Sequence, residues 1–85
     1  MNGAEDIALR RLRWRARRGM LELDLYLQPF VERAGPTLDA DDRAAFEAIL
    51  ETDDVVLLEW CAGRSQPVEP RFARLIGMLR RVVAP

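Results

Sequence analysis

Arg18 and Glu22 carry opposite charges four positions apart, with Gly19 between them in the run Arg18-Gly19-Met20-Leu21-Glu22. On an uninterrupted helix that spacing makes an ion pair contributing about 0.2 to 0.5 kcal/mol. A glycine inside the pair argues against continuity, because Gly19 can take a positive φ without a Cβ clash, closing one helix and turning sharply into the next. Set on either side of such a bend, the pair outlines a docking surface, with Trp14 on the same face as Arg18 and with Leu21 and Leu25 projecting beyond Glu22. The chemistry on offer is recognition, since binding energy at interfaces concentrates in residues such as Trp and Arg. Alone, R-G-x-x-E is a short pattern that many unrelated chains contain.

Other chemistries lack their reagents. The chain has no histidine, the commonest general base and transition-metal ligand, so neither triad nor zinc chemistry is expected. Cys61 is the only cysteine; it cannot form an intrachain disulfide, and in an apolar run it reads as a small core residue rather than a nucleophile. Adjacent carboxylates diverge on a helix, and the pairs Asp41-Asp42 and Asp53-Asp54 stand at helix starts, so capping explains them better than metal binding. The basic residues are all arginine, 13 against 14 acidic residues for a net charge of -1. Their placement is lopsided: Arg10, Arg11, Arg13, Arg15, Arg17 and Arg18 crowd one segment, while Asp39, Asp41, Asp42, Glu47, Glu51, Asp53, Asp54 and Glu59 dominate the middle. Such a run invites a nucleic-acid reading, in which each arginine displaces counterions from a phosphate, against the plainer one of a solvated basic face. The slightly acidic total, the scatter of arginines over several faces, and the lack of a phosphate loop or zinc-finger spacing weigh against nucleic acid. One end is suited instead to an acidic partner.

Eighty-five residues make one small domain, here spanning 1–85, with an expected stability of roughly 4 to 13 kcal/mol. No apolar run approaches the roughly 18 to 20 residues needed to span a bilayer, so no membrane insertion is expected. Glu5 and Asp6 near the start, with no basic residue before Arg10, argue against an organelle targeting segment and leave the bacterial cytoplasm as the expected setting.

The elements that must position Arg18 to Glu22 are helical. Asn2 followed by Glu5 has the logic of a capping box, opening a first helix that runs to about Arg17. Ala8, Leu9, Leu12 and Ala16 fall on one side of it, and Ile7, Arg11, Trp14 and Arg18 on the other. Trp14 is therefore either packed by arginine stems or an anchor for a partner. Met20, Leu23, Leu27, Phe30, Val31 and Ala34 make the core stripe of a second helix, with Tyr26 at its margin and Leu21 and Leu25 pointing away. Pro29 removes a backbone donor, so a kink or change of character is expected near Leu25, and Ala34-Gly35-Pro36 ends the helix. Asp39 caps a third helix, whose buried face is Phe46, Ile49 and Leu50; Thr52 or Asp53 caps a short fourth with Leu57, Leu58 and Cys61 inward and Gly63 as its stop. Pro67 fits the start of a fifth, in which Phe72, Leu75, Ile76, Leu79 and Val83 follow the i, i+3, i+4, i+7, i+11 pattern. The expected fold class is all-α: a compact bundle of four to five short helices.

The surroundings of the motif resemble those of the succinate dehydrogenase assembly factors, small helical proteins that promote covalent attachment of FAD to a partner flavoprotein. That family shows R-x-x-Y/W before R-G-x-x-E, then L/N-D, and later L-L-E-x-x-D-x-x-L-x-x-W before a glycine-containing turn and a last helix. Here Arg11 and Trp14 precede Arg18-Gly19-Met20-Leu21-Glu22-Leu23-Asp24, and the run from Ile49 to Trp60 supplies the second block. The likeness covers roughly positions 9–79, with modest departures at Ile49, Cys61 and Arg64-Ser65. The resemblance implies a five-helix bundle that is not an enzyme and holds no cofactor of its own, the FAD belonging to the client. It implies a partner-binding surface at Arg18, Gly19 and Glu22, with Trp14, Arg11 and Asp24 beside them. The implied partners are the flavoprotein subunits of succinate dehydrogenase and of fumarate reductase. An alternative carried by the same resemblance is an antitoxin, or a general interaction module, of a bacterial two-gene system.

Overall fold

The computed structural model describes residues 3–84, with side chains from residue 7 onward; the Asn2–Glu5 capping box lies outside the described residues. Five α-helices follow one another: α1 (Gly3–Arg15), α2 (Leu21–Ala34), α3 (Ala40–Ile49), α4 (Asp54–Cys61) and α5 (Pro70–Val83), with a 3-10 turn at Gly35–Thr37. The all-α bundle of four to five helices that the periodicity predicts has five, as the resemblance implies, and no strand occurs among the described residues.

α1 is shorter than expected. Its last turn tightens, with the N–H of Arg17 donating to the carbonyl of Trp14 at 3.2 Å. The N–H of Arg18, which a continuing helix would give to that same carbonyl, goes instead to the Asp24 carboxylate at 2.8 Å. Helix 1 therefore stops at Arg15 rather than Arg17, and Gly19 belongs to the connection rather than to the helix end. α2 is α-helical through Pro29, with no break where a change of character is expected near Leu25. Leu25 lies on the exposed side, where a carbonyl that loses its N–H partner to proline can be hydrated.

The core is built as the 100° periodicity requires. Leu12 of α1, Leu23, Leu27, Phe30 and Val31 of α2, Phe46 and Ile49 of α3, Leu57 and Cys61 of α4, and Leu75 and Leu79 of α5 are all buried. α5 packs against α2 and α3. At the α2–α3 contact, Phe30 meets Phe46 edge-on with ring centroids 5.1 Å apart, a geometry that contributes about 0.5 to 1.5 kcal/mol beyond burial. The helix ends follow the expected chemistry: Asp39 accepts from the N–H of Asp42 at 2.8 Å, and Asp53 from that of Val55 at 3.3 Å. α4 ends in a Schellman motif, with Gly63 at φ +78° and the N–H of Arg64 donating to the Glu59 carbonyl at 2.9 Å.

α5 begins at Pro70, not at Pro67, which is buried in the preceding turn. The reason is Glu69: proline disfavours the helical region for the residue before it, and Glu69 takes the extended alternative at ψ 120°, whereas Gln28 before Pro29 stays within α2. With Glu69 extended, no helix runs through it from Pro67.

Candidate functional site

The connection between α1 and α2 carries the motif, and two of its side chains face opposite ways. Arg18 turns inward and spans to the α3–α4 turn. Its Nε donates to Asp54 Oδ1 at 2.8 Å, Nη1 to the Leu50 carbonyl at 2.6 Å, and Nη2 to the Thr52 carbonyl at 3.1 Å. Only 17% of the side chain is exposed. Leu50 caps the C-terminus of α3 and Asp54 opens α4. The guanidinium thus satisfies a carbonyl where the α3 dipole is negative, beside a carboxylate placed where the α4 dipole is positive. Arg15 does the same one turn earlier, donating to the Glu47 carbonyl at 3.2 Å and to Glu51 Oε2 at 2.5 Å.

Glu22 faces outward from the first turn of α2. The ion pair with Arg18 does not form: Arg18 is spent on Asp54, and the positive φ of Gly19, +80°, breaks the helical continuity an i, i+4 pair needs. Trp14 and Arg18 accordingly do not share a face. Trp14 is 78% exposed on the outer side of α1, in line with exposed Ile7 and Arg11 at helical spacing, whereas Arg18 has left the helix. Its arginine neighbours do not cover the indole.

Asp24 is half-buried and holds the connection from the α2 side. Met20, at the N-cap position, offers no side-chain cap, and the Asp24 carboxylate reaches back past it to the N–H of Arg18. Beyond Gly19 the surface is open, since a Cβ built there meets nothing within 4 Å. Leu21 and Leu25, one turn apart on α2, are exposed by 69% and 60%.

The structure therefore joins Arg18, Gly19 and Asp24 in one braced turn. Glu22, Leu21 and Leu25 project from the helix it launches, and Arg11 and Trp14 from the outer face of α1. Sequence reasoning missed Asp54 and the carbonyls of Leu50 and Thr52 as the ligands of Arg18. Asp54 does stand in the second block, L-L-E-x-x-D, but local spacing identifies it only as a helix-start carboxylate. A concavity of about 540 Å³ lies elsewhere, against Asp39, Asp41, Asp42, Arg71 and Arg74. Around Gly19 the motif presents exposed side chains, Glu22, Leu21 and Leu25, on an outward surface.

The family described as the flavinator of succinate dehydrogenase matches residues 10–83. The FAD assembly factor SdhE of Pseudomonas aeruginosa is 42% identical over 82 residues, covering 96% of this chain and 98% of its own. That of Shewanella oneidensis is 39% identical over 81 residues, 95% of this chain and 99% of its own, and that of Coxiella burnetii 32% over 78 residues, 92% and 95%. With a match of this extent, and relatives similar along nearly their whole lengths, the chain belongs to the family of the flavinator of succinate dehydrogenase.

Proposed function

We propose that this protein is a flavinylation factor: it binds the flavoprotein subunit of succinate dehydrogenase in the bacterial cytoplasm and promotes the subunit's own covalent attachment of FAD. The flavoprotein of fumarate reductase is a second client. The observation that carries the proposal is the open turn at Gly19, in a chain whose relatives are named FAD assembly factors. The turn is flanked by outward Glu22 and by exposed Leu21, Leu25 and Trp14. Gly19 lets the client approach the backbone, Glu22 offers a carboxylate to its hydrogen-bond donors, and Trp14 with Arg11 extends the contact along α1. Arg18 and Asp24 frame the turn from behind.

A chain with no histidine leaves bond-making to the client, whose own side chain attacks the flavin. The flavin stays with the client throughout. The factor acts by binding the attachment-competent conformer better than the others. Raising a conformer from about 1% to 99% needs a preference of about 5.5 kcal/mol, the scale of three buried anchors at about 2 kcal/mol each that only the favoured conformer engages.

The test is covalent flavin in the succinate dehydrogenase flavoprotein, read by in-gel fluorescence, in cells with and without this gene. We expect loss of covalent flavin in the deletion, repair by the wild type, and weak repair by Glu22→Ala at unchanged helicity. Undiminished flavin in the deletion would refute the function. Full repair by Glu22→Ala would remove Glu22 from the surface.

A further inference from the structure

We infer that Asp54 is a positioning residue for the docking turn, acting through Arg18 across 36 residues of sequence; this rests on the docking surface described above. The connection between α1 and α2 has little local support. It contains a residue at positive φ, and the following helix has no side-chain cap at Met20. Two restraints hold it, one from six residues along and one long-range. The Asp24 carboxylate takes the backbone N–H of Arg18, and the Arg18 side chain is tied to Asp54 and to the carbonyls of Leu50 and Thr52.

Burial decides which restraint matters most. Arg13 pairs with Glu32 at 50% and 60% side-chain exposure and Arg15 with Glu51 at 28% and 75%, pairs that contribute little. The half-shielded Glu47 stands 3.9 Å from Arg15, while Asp54, 34% exposed, is only 2.8 Å from Arg18. Arg18, at 17% exposure, is the most shielded arginine among the described ion pairs, where a charge-assisted hydrogen bond keeps its strength. Replacing Asp54 with Asn keeps the shape but leaves that guanidinium with only neutral acceptors. The turn then loses its anchor on α4 while α2 and α4 keep their own cores. The charge of Arg18 faces away from the client, which senses it through the path of the Gly19 peptide.

The experiment uses the full chain with FAD and the apo flavoprotein subunit of succinate dehydrogenase. Covalent flavin is followed against the concentration of this protein for the wild type, Asp54→Asn, Arg18→Lys, the double variant and Asp42→Asn. In parallel, the amide resonances of Gly19 and of Leu75 and Leu79 are recorded for each free protein. Asp54→Asn is expected to raise the half-saturating concentration about tenfold at an unchanged plateau, the scale of one lost charged hydrogen bond. The double variant should be no worse than the poorer single one, because the two changes cut the same link. The Gly19 amide should shift while those of Leu75 and Leu79 stay in place. Asp42→Asn, which alters the Arg74 partner on the other side of α3, should match the wild type in both assays. Unchanged half-saturation, additive losses in the double variant, a stationary Gly19 amide, or general loss of helicity in Asp54→Asn would each overturn the inference. If the wild type itself fails to promote attachment, the docking function falls, and the Gly19 amide alone still decides whether Asp54 positions the turn.

Discussion

A methyl group at position 19 meets no heavy atom within 4 Å, so Gly19→Ala is penalised only by its backbone, at φ +80°. The expected loss is about 1 to 2 kcal/mol, seen as a lower urea midpoint at unchanged slope. Gly19→Trp carries the same strain but adds bulk on the proposed docking surface, so its loss of flavin attachment should far exceed that of Gly19→Ala. Equal losses would make strain the whole effect. Cys61 gives a second prediction at this scale. Burial pushes its thiol from 9.0 up to about 12, so above pH 9 the unfolded chain releases a proton that the folded chain keeps. Stability is then full below pH 9 and falls by about 1.4 kcal/mol per pH unit between 9 and 12; the pH slope of the thermal midpoint in this range should be shallower in Cys61→Ala. That Trp14, Leu21 and Leu25 lie off the apolar stripe of their helices is legible in the sequence, but whether arginine stems cover Trp14 is not, and the structure leaves it 78% exposed. The inward course of Arg18 is not legible either, because its acceptors at positions 50, 52 and 54 come from a turn that no local period connects to it.

At the scale of elements, the helix starts separate the carboxylates that work from those that merely stand nearby. Asp39 bonds the N–H of Asp42, whereas Asp41 is exposed with no such bond. Asp39→Ala should lower stability by about 1 kcal/mol and Asp41→Ala by less than about 0.5 kcal/mol, measured by urea unfolding. Caps and stops of this kind were legible because each is set by one or two neighbouring residues. The start of α5 shows the opposite case. Two prolines three apart compete for the first helical position, and the choice of Pro70 over Pro67 follows from what proline does to the residue before it. The early end of α1 has a longer-range cause again, since Asp24 captures the N–H that would have continued the helix.

Over the whole molecule, the segregation of charge along the chain is largely resolved by folding. Arg15 and Arg18 meet Glu47, Glu51 and Asp54 of the acidic middle, and Arg74 meets Asp42. Arg10, Arg11 and Arg17, on α1 and the connection after it, stay exposed. Opposite charges in the sequence thus act first as internal fasteners and only then as a field for a partner. The burial of Cys61 has a practical consequence of its own. The one native thiol is 1% exposed and stays protonated at neutral pH, so the folded protein is silent toward maleimide reagents without any engineering. A cysteine placed on the surface, as in Leu25→Cys, becomes the sole labelling site, and a dye attached there should change emission on adding the client while the unsubstituted protein takes up no dye.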